Sequence, residues 1–154
     1  MSSPELIRRG ANHRREFFLL EVDSPSELSS FISVPSSQFS CVIAWDASLA
    51  SVDDISLVAK SLLRSGATYV CAWGPGCERV HDVFGEEIVQ EEISTAVGPV
   101  VMTTWHDDET LSETVEFLVQ AVEPQPDGTS VILAVAIGSS DFAAMLRKEL
   151  ISKQ

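Results

Sequence analysis

Five segments of this chain combine high apolar content with strand-forming residues, and helical patterns separate them. The last, SVILAVAIG at residues 130–138, carries no charged residue. Strands of that composition are buried on both faces, as in parallel sheets covered by helices. The other four lie at residues 15–22, 41–46, 67–73 and 97–104. This alternation predicts an α/β fold, namely a single three-layer α/β/α domain with about five mainly parallel strands, flavodoxin-like or Rossmann-like.

Helix-start and helix-stop residues fall between these segments. Ser51 precedes Asp53 and Asp54 and an amphipathic run that Gly66 ends, which is typical of a capped helix. Ser24, with Pro25 and Glu27 after it, is expected to start a short helix, and Ser139 or Ser140 is expected to cap the last helix. Gly85 lies within the third helical pattern and is expected to break it. Strand order is not predicted by one sequence.

Charge is distributed unevenly along the chain, which has a formal net charge of −13. Residues 1–15 contain four arginines and one glutamate, whereas Val80 to Leu146 contain thirteen acidic residues and no lysine or arginine. We therefore expect a basic, flexible arm at residues 1–15 and a single α/β domain at residues 16–154. An acidic body opposes nucleic acid, whose binding requires phosphate neutralisation. It is explained either by solubility alone or by a basic protein partner.

Two further observations concern location. No run of about eighteen apolar residues is present, so no membrane segment is expected. The three cysteines, Cys41, Cys71 and Cys77, are few and odd in number, and two lie inside predicted strands. This usage is typical of free thiols in a reducing compartment and predicts a cytoplasmic protein.

All three tryptophans come at or near the end of a predicted strand. In a parallel sheet the carboxyl ends of the strands lie on one rim, where ligands bind in open α/β sheets. The sequence therefore predicts a binding surface of aromatic and polar residues on that rim: Trp45, Asp46, Trp73, His81, Trp105, Asp108 and Asp141. The alternative is that the tryptophans only close the core.

An enzymatic hypothesis centres on Cys77, which follows GPG at a predicted helix start. A helix N-terminus lowers the pKa of a thiol, so Cys77 would serve as the nucleophile. His106, after the next strand, would be the base, with Asp107, Asp108 or Asp46 orienting it. His81, one helical turn after Cys77, is the other candidate base. This pattern predicts a small cysteine-dependent hydrolase or transferase. The alternative is a small residue packed at a helix start.

A third hypothesis is a metal site. Cys71, Cys77, His81 and His106 are ligand types, but their spacing matches no CxxC-type zinc motif. The segment WDASLAS resembles the metal motif of von Willebrand A domains, with Ala50 where that motif has its second serine. Phosphate-binding glycine loops are missing, and neither a resident metal nor a cofactor is expected.

The segments AWGPGCERVHD and TTWHDDE resemble a family of small uncharacterised bacterial α/β proteins. The resemblance implies a bacterial origin and no known activity. Taken with the charge pattern, the residues favour an acidic cytosolic binding or interaction protein of the immunity or regulator type. The cysteine enzyme and the metal-binding domain remain the alternatives.

Overall fold

A computed structural model of the chain describes residues 3–10, 14–94, 100–122, 124–126 and 128–153. These residues form six strands and four α-helices. In chain order the elements are β1 (Glu5–Arg9), β2 (Arg15–Val22), β3 (Phe39–Trp45), α1 (Val52–Ser65), β4 (Ala67–Trp73), α2 (Cys77–Ser94), β5 (Met102–His106), α3 (Leu111–Ala121), β6 (Ser130–Ile137) and α4 (Ser140–Ser152). The predicted α/β class is confirmed.

The strands form one sheet in the order β1-β2-β6-β3-β4-β5. All neighbouring pairs are parallel except β1 and β2, which are antiparallel. The sheet therefore has six strands, one more than predicted. The additional strand, β1, lies inside the segment expected to be a flexible arm, and its pairing with β2 corrects that expectation. Its sequence, ELIRR, has charged residues at three of five positions and no fully buried residue, which suits an outermost strand.

Strand β6 lies at the centre of the sheet. Every one of its residues is buried, in agreement with its uninterrupted apolar sequence. It pairs with β2 over eight positions and with β3 over six, so it separates two strands that follow each other in the chain.

Helices cover both faces of the sheet, which gives the three predicted layers. One core lies beneath α1 and α2 and includes Ile55, Leu62 and Phe84. The other lies beneath α3 and α4 and includes Leu118 and Leu146. Because side chains alternate along each strand, every buried strand contributes to both cores.

The helix ends follow the sequence signals closely. Ser51 accepts a hydrogen bond from the Asp54 N–H, and Ser139 accepts one from the Phe142 N–H. Gly66 ends α1 in a left-handed conformation with φ 114°. The exception is Gly85, which does not interrupt α2, since the helix continues to Ser94.

Two predicted boundaries are wrong. The helix expected after Ser24 is a single 3₁₀ turn at Pro25–Glu27, and Phe31 beyond it is 65% exposed. The fourth predicted strand begins at Met102 and extends to His106, while its expected start at Val97 lies outside the described residues. Within the described ranges, no helix combines the length and apolar character needed to cross a membrane.

The turn from β4 to α2 packs its backbone against the segment after β3. The Ala47 N–H donates to the Pro75 carbonyl at 2.8 Å. Gly76 has φ 80°, and a Cβ placed there would lie 2.8 Å from the Ala47 carbonyl carbon. Arg79 reinforces the contact by donating to the carbonyls of Ala47 and Ala50, each at 2.8 Å. The two loops are thus joined through main-chain atoms.

A pair of glycine substitutions tests this contact. Gly76→Ala should lower the free energy of unfolding by at least about 1–2 kcal/mol, because the left-handed backbone alone costs that much with a side chain. Gly85→Ala is the control: a Cβ there meets nothing within 4 Å, and the residue is helical. It should raise stability by about 0.5–1 kcal/mol. Urea denaturation of both variants is the measurement, and equal effects would contradict the proposed packing.

Candidate functional site

Strands β3, β4 and β5 are adjacent and parallel, so their carboxyl ends share one edge of the sheet. We call the loops at this edge, residues 46–50, 74–76 and 107–109, the carboxyl rim. Trp45 and Trp73 are the last residues of their strands, and Trp105 precedes the last residue of β5. The predicted convergence of the three tryptophans on one rim therefore agrees with the sheet.

Their side chains nevertheless do not form a common surface. Trp45 is 6% exposed within the core beneath α1 and α2. Trp73 packs on the opposite face, where its indole N–H donates to the Glu109 carbonyl at 2.9 Å and its ring meets Phe142 edge-on. Two of the three thus close the core. Trp105 differs, because it is 42% exposed.

Trp105 pairs with His81 on α2. Their ring centroids are 4.6 Å apart, and His81 Nδ1 lies 3.2 Å from the Thr103 hydroxyl. The α2 helix is therefore held against β5 by a polar contact and a ring contact at the sheet edge. The pair combines an exposed indole with a half-buried imidazole, which is a suitable surface for contact with another molecule.

A cavity of about 530 Å³ opens at the rim between the β4–α2 turn and the loop after β5. It is lined by Trp73, residues 74–79, His106, Asp107 and Glu109. Its acidic residues are Glu78, Asp107 and Glu109. Arg79 is the one lysine or arginine in this lining, and its guanidinium donates hydrogen bonds to the carbonyls of Ala47 and Ala50. The cavity therefore favours cationic over anionic ligands.

Cys77 lies at this cavity but is 2% exposed. Burial raises the pKa of its thiol, and the nearby Asp107 raises it further. Hydrogen bonds from backbone groups of His106, Cys77 and Glu78 lower it but do not compensate. The helix N-terminus thus acts on the sulfur in the predicted direction, and desolvation outweighs it. The expected exposed, activated thiolate is not what the structure contains.

His106 is turned away from Cys77. Its ring lies on the α3 side of the sheet, 5.0 Å from that of Phe117 and 5% exposed. Nδ1 is 2.9 Å from the Glu109 carboxylate, and Nε2 is 2.8 Å from the Thr104 hydroxyl. Both ring nitrogens thus lie within hydrogen-bond distance of a partner inside the fold, and neither is left to deprotonate a thiol. The predicted Cys77–His106 pair is therefore not assembled.

Sequence reasoning missed Glu109 and Thr104. Asp107 was expected to orient the imidazole, but it is exposed on the rim, and Glu109 occupies that role. The available signal was spacing, since Thr104 and His106 share one face of a strand and Glu109 follows three residues later. Thr104 in turn hydrogen-bonds the Cys71 sulfur at 3.4 Å. Burial raises the pKa of Cys71 to about 12, so this network ends on a protonated thiol.

The candidate metal ligands are divided by the sheet. Cys71 and His106 belong to the α3 side, whereas Cys77 and His81 belong to the α2 side. Across the part of the chain that the structure describes, no three histidine, cysteine or acidic side chains are grouped closely enough to hold an ion.

The other predicted binding residues are exposed on the rim or near it. Asp46 accepts hydrogen bonds from the Ser48 hydroxyl at 2.6 Å and from its backbone N–H at 3.2 Å, which lowers the pKa of Asp46. This is a local turn, and the motif resembling a von Willebrand A site forms nothing more. Asp141 is exposed in the first turn of α4, and Asp108 is exposed after β5.

Comparison with known proteins identifies one family. A model described as "Domain of unknown function (DUF7684)" matches residues 17–153. The chain belongs to this family. The matched range begins within β2 and extends through α4. Among proteins with curated descriptions, no significant match was found.

Thiol alkylation tests the state of Cys77. Because burial raises its pKa, the folded protein should react with iodoacetamide at pH 7 more slowly than free cysteine, and all three cysteines should react once urea unfolds the chain. Peptide mass spectrometry after timed quenching measures this. Rapid labelling of Cys77 near pH 6 in the folded protein would restore the nucleophile hypothesis.

A second pair of variants separates helix capping from a rim role. The Thr110 hydroxyl caps α3 by accepting from the Glu113 N–H at 3.1 Å. Thr110→Ala should therefore lower the free energy of unfolding by about 1 kcal/mol. Asp107→Ala should leave it nearly unchanged, because Asp107 is exposed and is not the cap. Thermal melts compare the two, and an equal loss would assign Asp107 a structural role.

Proposed function

We propose that this protein is an acidic binding protein that contacts a basic protein partner through the carboxyl rim next to β5. The observation that carries the proposal is the exposed Trp105, which is paired with His81 and followed in the chain by the exposed Asp107 and Asp108. Tryptophan is enriched in the energetically dominant positions of protein interfaces. The other two tryptophans, Trp45 and Trp73, pack inside the fold and are therefore not available to contact a partner.

The electrostatics support a cationic partner. The exposed acidic side chains next to the Trp105–His81 pair along the chain are Glu78 and Asp82 on α2 and Asp107 and Asp108 directly after β5. No lysine or arginine occurs between Val80 and Leu146. A surface of one sign attracts the opposite charge and speeds encounter, and it repels the phosphates of nucleic acids. A small acidic domain of this kind suits an immunity- or regulator-type protein that masks a basic surface.

The proposed location is the bacterial cytoplasm. All three cysteines are free and buried, which accords with a reducing compartment. A bacterial origin is what the resemblance of the AWGPGCERVHD and TTWHDDE segments implies. A cysteine-dependent enzyme is less well supported, because the thiol is buried and both imidazole nitrogens of His106 are engaged.

Affinity capture with matched variants tests the proposal. The wild-type chain, immobilised and exposed to a bacterial lysate at low salt, should retain a basic protein. The combined variant Trp105→Ala, Asp107→Asn and Asp108→Asn should lose at least nine-tenths of that protein. The control variant, Ile151→Ala with Glu21→Gln, changes one exposed apolar residue on α4 and one exposed acidic residue on β2, which three strands separate from β5. It should retain the protein fully.

Quantitative mass spectrometry of the eluates gives the answer. If the rim variant captures as much protein as the wild type, or the control variant loses as much as the rim variant, the rim is not the contact surface. Retention of only acidic proteins would contradict the proposed chemistry of the partner. Circular dichroism of each variant confirms that the fold is retained.

A further inference from the structure

The two outer strands of the sheet differ in how their free edges are protected. Edge strands usually carry charges, prolines or bulges that prevent pairing with other chains. Strand β1 has Glu5, Arg8 and Arg9, and its register with β2 is irregular between Leu6 and Arg8. Strand β5, with the sequence MTTWH, has no lysine, arginine, acid or proline. The free edge of β1 is thus protected against pairing with another chain, whereas the free edge of β5 is not.

The β5 edge is also apolar and accessible. Met102 is 50% exposed, Trp105 is 42% exposed, and Val100 just before the strand is 78% exposed. Among the described residues, β4 is the only strand that pairs with β5, so the main-chain groups on its outer side are without a sheet partner. Exposed backbone groups beside apolar side chains form a template for another strand.

The charges beside the β5 edge determine which kind of chain segment would pair with it. The α2 helix packs over β5 and presents Glu78, Asp82 and Glu86, and Asp107 and Asp108 follow the strand directly. A second copy of this chain would bring the same carboxylates together and add its own net charge of −13. A segment containing lysine or arginine meets the opposite sign. Charge complementarity therefore favours a basic partner over self-pairing.

We propose that the edge of β5 binds an extended segment of a basic protein by β-strand addition. The inference rests on the proposed function and specifies how the partner is held at that site. Main-chain hydrogen bonds to β5 would supply affinity, and alternate side chains would supply selectivity. On one face of the added strand an apolar side chain would lie beside Trp105. Five residues of contact correspond to about 17 Å of strand.

A defined peptide tests this mode. The probe is an acetylated, amidated octapeptide of alternating lysine and valine. The first control is the same peptide N-methylated at its four central residues, which keeps charge and side chains but removes the donors from both edges. The second control replaces lysine with glutamate. Titration against the labelled protein, followed by backbone amide NMR, reports both affinity and location.

The expected result is saturable binding of the lysine peptide with its largest amide shifts at residues 102–106. The N-methylated control should bind at least tenfold more weakly, and the glutamate peptide should not bind. Trp105→Ala should weaken the lysine peptide severalfold, whereas Ile151→Ala should not. Both protein variants change one exposed apolar side chain, which keeps the comparison matched.

Four results would overturn strand addition. These are equal binding of the lysine peptide and its N-methylated form, largest shifts at the β1 edge, no binding at millimolar peptide, and a peptide-free dimer in sedimentation velocity that Trp105→Lys dissolves. The first would leave an acidic surface that attracts cations without pairing. The capture experiment decides the proposed function separately, since it does not depend on how the partner is held.

Discussion

The main-chain contact between the β4–α2 turn and the segment after β3 determines the arrangement of the rim. Gly74 approaches the Trp45 carbonyl and Gly76 approaches the Ala47 backbone so closely that no side chain fits at either position. Arg79, in the first turn of α2, donates hydrogen bonds to carbonyls of the segment after β3 and so joins that segment to the start of α2. Because α2 starts from this contact, Cys77 is placed against the core and the helix is directed over β5. The burial of the thiol and the position of His81 beside Trp105 both follow from it.

Because side chains alternate along a strand, neighbouring residues of the candidate site lie on opposite faces of the sheet. Ala44 and Ala72 are the strand positions next to Trp45 and Trp73, and each lies on the face opposite its neighbour. Consecutive residues on β5 obey the same rule, so Trp105 meets α2 whereas His106 meets α3. The sheet thereby separates an external pair, Trp105 and His81, from an internal network of His106, Glu109 and Thr104. The first is available to another molecule, and the second fixes the loop that follows β5.

Much of the fold could be predicted because its signals are local. The apolar run of β6, the capping serines at positions 51 and 139 and the stop at Gly66 depend only on neighbouring residues. The parallel sheet followed from them, and with it the shared rim. Strand order and the face of each tryptophan could not be predicted, since they depend on pairings across the chain. The same limit applies to β1, whose short charged sequence becomes a strand only through β2, and to Cys77, whose burial depends on the loop after β3.

The central position of β6 has a consequence for how the domain is assembled. In the described part of the chain, β2 and β3 each pair with β6 and not with each other. Until β6 is in place, the sheet consists of two pieces, β1 with β2 and β3 with β4 and β5, and neither piece has its core closed. Contacts between residues more than a hundred positions apart must therefore form before the domain is stable. Such non-local pairing slows folding. We therefore expect the sheet to be completed only after β6 has been synthesised.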